Sequence, residues 1–76
     1  MHAAKIIRFF NHSNNVQLLC EDERGLLSVY FKHEHFGRFF RALHKAGLKL
    51  NGLPIKFNHE VVRIPALGKH GDYAPR

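Results

Sequence analysis

Cations and aromatic rings alternate along several short β-rich runs of this chain: Arg8 with Phe10, Tyr30 with Lys32, and the single cations Lys56 and Arg63. A cation beside a ring suits a polyanion that also carries flat groups. Lys and Arg neutralise phosphates, and bases stack on aromatic faces for about 1–3 kcal/mol each. A second set, Arg38, Arg41 and Lys45, continues to Lys49 at helical spacing. These four could track phosphates or enter a groove, but with no Asn or Gln among them they carry little base readout. The plainer reading gives both sets as solvated faces, with Phe10 and Tyr30 in a core.

Other chemistry is thinner. His33 and His35 are two apart, and His59 precedes Glu60. Neither spacing matches a strong zinc signature, and residues at i and i+2 diverge on a helix. His59, Glu60, Arg63 and His44 are the residues an acid–base cleavage of RNA would use. No P-loop, dinucleotide fingerprint or Ser or Cys nucleophile motif is present. Cys20 falls at an inward strand position and reads as a small buried hydrophobe. No catalytic residue, metal ligand or cofactor is therefore assigned.

Twelve Lys and Arg against six Asp and Glu give a net charge of +6. That balance suits a polyanion: nucleic acid, an acidic protein surface or an anionic membrane. Protonating all seven His would raise it from +6 to +13, so electrostatic binding should strengthen as pH falls through about 6.5. The lone cysteine excludes an intramolecular disulfide and a Cys-based zinc finger. No run has signal-peptide form or approaches the ~20 apolar residues needed to cross a bilayer. The expected location is cytoplasmic, with no membrane partner.

The elements that must position these residues follow from hydrophobic period. From His33 to Gly47, Phe36, Phe39, Phe40, Leu43 and Gly47 recur at helical spacing, with Arg38, Arg41 and Lys45 opposite. Glu34 and Lys45 complement the helix dipole, Gly47 is placed to end the helix, and no Ser, Thr, Asp or Asn caps its start. Around it lie strands. Ala4–Phe10 has apolar groups on both faces, and Ile7 and Phe9 are expected inside. Val16–Glu21 puts Val16, Leu18 and Cys20 inward, with Gln17, Leu19 and Glu21 outward. Leu26–Lys32 puts Leu27, Val29 and Phe31 inward. Leu53–Phe57 buries Leu53, Ile55 and Phe57, with Pro54 marking its start or an edge. Glu60–Ile64 completes the set. Polar turns separate the runs at Asn11–Asn15, Glu21–Gly25, Asn51–Gly52 and Asn58–His59. Residues 68–76 read as a flexible C-terminal tail after a single domain at 1–67.

The order β-β-β-α-β-β predicts a small α+β domain, an open or half-closed antiparallel sheet with one amphipathic helix across a face. An OB-like partly open barrel shares this order and is the alternative. The expected function is a small basic nucleic-acid-binding module, regulatory or accessory, for DNA or RNA. Its expected contacts are Arg8, Phe10, Tyr30, Lys32, Arg38, Arg41, Lys45, Lys49, Lys56 and Arg63. The alternatives are a protein-interaction module and, more remotely, a small ribonuclease. The former would be an inhibitor or adaptor on an acidic partner, or a homodimer, docking through basic surface and outward Phe10, Leu19 and Leu26.

Overall fold

The computed structural model describes residues 1–76. Six antiparallel strands form one sheet: β1 (His2–Asn11), β2 (Val16–Asp22), β3 (Gly25–Phe31), β4 (Pro54–Phe57), β5 (Val62–Arg63) and β6 (Asp72–Tyr73). Their spatial order is β3-β2-β1-β4-β5-β6. Helix α1 (His33–Lys45) joins β3 to β4 and covers one face. A 3-10 segment, Pro65–His70, joins β5 to β6. This is the expected α+β architecture with one further strand.

Local chemistry accounts for most of it. Val16, Leu18 and Cys20 are buried on β2, and Leu27, Val29 and Phe31 of β3 face the same side. The hairpin between them closes at Asp22, whose Oδ1 accepts the amide hydrogens of Arg24 (2.8 Å) and Gly25 (3.1 Å). Gly25 stands at φ 127°, where a side chain would be strained. The helix buries Phe36, Phe39 and Leu43. It ends in a Schellman motif: Gly47 at φ 70° donates its amide to the His44 carbonyl, and Leu48 donates to that of Leu43. No side chain caps its start at Lys32. Phe40, expected in the buried stripe, lies at its margin: it stays exposed while stacking on Phe36 (centroids 5.7 Å).

Strand β1 departs from expectation. Ile6, not Ile7, is sealed in the core, and Phe9 points to the helix side but stays exposed rather than buried. The cause is a β-bulge. Ile6 pairs with Cys20 and Arg8 with Leu19, leaving Ile7 unpaired between them. One extra residue reverses the side-chain alternation, so Ile6 and Phe9 share a face despite odd spacing. Opposite the bulge, Ile6 exchanges hydrogen bonds with the connector instead of β4, donating to Leu53 O (2.9 Å) and accepting from Gly52 N (2.7 Å).

The C-terminal segment is a second correction. It is not a tail hanging from the domain: residues 72–73 form β6 on β5, and Pro75 is buried. Gly71 makes this path available. A Cβ there would lie 2.3 Å from the Ile64 carbonyl oxygen, and the Ile64 amide donates to Gly71 O at 2.8 Å. Beyond β6, Pro75 O accepts the Lys32 amide hydrogen at the end of β3 (2.8 Å). The sheet therefore curls until its two ends meet at one point, but β3 pairs only with β2, and no ladder closes a barrel. Phe39 fills the space inside the curl, against Phe31 of β3 (5.0 Å) and Tyr73 of β6 (5.7 Å).

Candidate nucleic-acid interface

The helix occupies the inner face of the sheet, so outward strand residues form a continuous outer face. Register decides which of them meet. Phe10 is opposite Gln17, and Gln17 is opposite Tyr30, so the three side chains form one row across β1, β2 and β3. The rings of Phe10 and Tyr30 are exposed, not core. Two strand spacings put their backbones about 10 Å apart. Gln17 between them is held at both ends: its Nε2 donates to Ser28 Oγ (2.9 Å), and its Oε1 lies 2.8 Å from His12 Nε2. The His12 ring stacks beside Phe10 (centroids 6.5 Å), and the Arg8 guanidinium carbon lies 5.7 Å from the Phe10 centroid. Arg8 is opposite Leu19, not an acid. Lys5, one row further, is opposite Glu21.

The outer face of β4–β6 is different. Lys56 and Arg63 are directly paired, but Arg63 grips Asp72 with both branches of its guanidinium, Nε to Oδ1 at 2.7 Å and Nη2 to Oδ2 at 3.0 Å. Hydrogen bonds from Arg63 hold the Asp72 carboxyl below the usual carboxylate range. At the far side of the sheet, Asp22 accepts a hydrogen bond from His2 as well as the two turn amides, and these bonds also lower its pKa.

Arg38, Arg41 and Lys45 are exposed on the helix surface turned away from Phe36, Phe39 and Leu43, and so on the side of the molecule opposite the outer sheet face. Lys32 is not a strand residue but the helix N-cap. Lys49 lies past the helix end, on a groove of about 350 Å³ shared with Phe9, Phe40 and His44. The ten expected contacts thus occupy separate surfaces. Arg8, Phe10 and Tyr30 are brought together. Lys56 and Arg63 form a partly neutralised pair. The helix cations face elsewhere.

Gln17 and His12 join the row although sequence reasoning did not assign them to it. The outward parity of Gln17 was the available signal; nothing in the order of residues announces that His12 folds back on Phe10. The histidine sets do not converge. His59 borders a groove beside β3 and His44 borders the one at the helix end, so the ribonuclease set is divided. Glu60 sits in a turn whose amide is taken by Asn58 Oδ1. No group of three or more His, Cys, Asp or Glu side chains is placed to hold a metal ion, and no helix is long and apolar enough to cross a membrane.

No family model matches this chain, and neither a curated protein nor a solved structure matches it.

Proposed function

We propose that this protein is a small accessory module that binds single-stranded nucleic acid on the outer face of β1–β3. The row Phe10–Gln17–Tyr30, with Arg8 beside Phe10, carries the reading. Exposed rings on a sheet offer stacking platforms, a fixed amide between them can bond a base edge, and Arg8 supplies charge for phosphate. Duplex bases are already stacked and cannot use such rings, which selects single strands. The net charge of +6 favours the encounter from any direction. The helix cations then act as a second, weaker polyanion surface.

Fluorescence anisotropy with single- and double-stranded DNA and RNA, at low and physiological salt, tests this. Single strands should bind more tightly, with affinity falling as salt rises, a slope of about 0.7 per phosphate neutralised. Phe10→Ala and Tyr30→Ala should each weaken binding about fivefold or more, the lower bound for loss of one stacked base. No binding at low salt, or affinity indifferent to both ring substitutions, overturns the proposal.

A further inference from the structure

The groove of about 350 Å³ at the C-terminal end of α1 has an apolar lining of Phe9, Phe40, Leu43, Leu48 and Leu50. The Phe9 and Phe40 rings lie 6.1 Å apart and remain 41% and 44% exposed, so no part of the chain closes over them. Charge around the groove has one sign. Lys49 lines it, and Arg41 and Lys45 stand exposed on the adjoining helix strip, one residue past Phe40 and His44. None of the three cations has an acid partner: the ion pairs of the chain are His2–Asp22 and Arg63–Asp72. From His35 to His59 the sequence contains no acid. Gly37 continues the helix wall of the groove, sharing a face with Phe40 and His44 at i+3 and i+7. Glycine in mid-helix lowers helix stability relative to alanine. A Cβ at this position would meet nothing within 4 Å, so no packing inside the chain asks for a glycine. It leaves room for a backbone arriving from outside.

We infer that this groove docks a peptide segment of another protein, one that carries bulky apolar side chains among Asp and Glu residues. An apolar side chain enters between Phe9 and Phe40, and flanking carboxylates meet Lys49, Arg41 and Lys45. The backbone of the segment runs along α1 past Gly37. Burial of the two rings supplies affinity, and the unpaired cations supply orientation and speed of encounter. A second copy of this chain, at +6, has the wrong sign for these cations. Nucleic acid has the right sign, but it brings flat, polar-edged bases and no bulky apolar side chain to fill a concave, leucine-lined groove. The site lies on the helix side of the sheet, away from Phe10 and Tyr30, and does not depend on what that row binds.

A displayed library of random peptides, selected on the intact protein, tests this. Enriched peptides should combine Leu, Ile, Phe or Trp with Asp or Glu, and a synthetic copy should bind less tightly as salt rises. Lys49→Glu and Phe40→Ala should each weaken that peptide about tenfold or more. Gly37→Leu separates binding from folding. Leucine favours the helix and meets open space in the chain, so the melting temperature should hold or rise while peptide affinity falls by a similar factor. Phe10→Ala and Tyr30→Ala should leave peptide binding unchanged, and Phe40→Ala should leave single-strand binding unchanged, so each proposal fails independently of the other. Failure to enrich any peptide overturns the inference, as does enrichment of peptides without acids. Peptide affinity indifferent to both Lys49→Glu and Gly37→Leu overturns it too. So does an oligonucleotide that displaces the peptide and loses its own affinity with Phe40→Ala, because the groove would then be a nucleic-acid surface.

Discussion

The outer face of β1–β3 and that of β4–β6 belong to one sheet and carry similar cations, yet they differ in what those cations can do. On β4–β6, Arg63 has its guanidinium committed to Asp72, and Lys56 beside it faces no ring. On β1–β3, Arg8 lies against Phe10 in a row that includes Tyr30 and faces no acid. Counting charges would rank the two surfaces alike. Register separates them: what a Lys or Arg meets across the strand decides whether it is available. The halves differ in build too. β1, β2 and β3 are ten, seven and seven residues long, and β4–β6 are four, two and two. The short half is therefore held less by its own ladders than by the shared core.

That dependence gives the largest expected effect. Phe39, fully buried, touches Phe31 on one half and Tyr73 on the other. Phe39→Ala should cost about 3–5 kcal/mol in urea unfolding, enough to leave so small a domain largely unfolded. A cost near that of an exposed ring, such as Phe40→Ala, would show that the two halves do not share one core.

The charge contrast is sharper in binding. Arg8→Ala should weaken single-strand affinity and flatten the salt dependence by about 0.7 in slope. Arg63→Ala should leave both nearly unchanged. Equal effects would erase the distinction between the two faces.

The long half also holds Cys20, and burial pushes its thiol up to about 11. It should stay unreactive toward a disulfide reagent at mildly alkaline pH and react fully in denaturant. Fast native reaction would mean that β1–β3 opens more readily than its ladders imply.

The smallest effect concerns acid. Asp72 and Asp22 both have pKa values lowered in the folded chain, Asp72 first by Arg63 and Asp22 first by His2. Their stabilising contribution is present above the ordinary value near 3.9 and is lost as pH falls through the depressed folded values. Asp72→Asn should shrink the drop in melting temperature between pH 5 and pH 2. An unaltered acid profile would show that the exposed Arg63–Asp72 contact does not contribute.

Local order settled much of this protein. Helix α1 follows from Phe36, Phe39 and Leu43 at helical spacing and stops at Gly47, because the positive φ of that residue suits a glycine. The inward faces of β2, β3 and β4 follow from two-residue alternation. Period is written in consecutive residues, so it can be read without knowing the partners. Tertiary structure alone decided the rest. The bulge at Ile7 changes the parity of β1 by one residue, with no local signature, because it reflects how β1 fits β2 and the Gly52–Leu53 connector together. Residues 68–76 look like a polar tail by composition. They are ordered because Gly71 admits the Ile64 carbonyl, and because Tyr73 and Pro75 find partners 34 and 43 residues away in the chain, at Phe39 and Lys32. The ten cations and rings looked like one surface in sequence. They separate because the helix, lying on the inner face, carries Arg38, Arg41 and Lys45 to the opposite side of the molecule from Arg8, Phe10 and Tyr30. Which charges end up together is a property of long-range pairing, and no run of neighbouring residues encodes it.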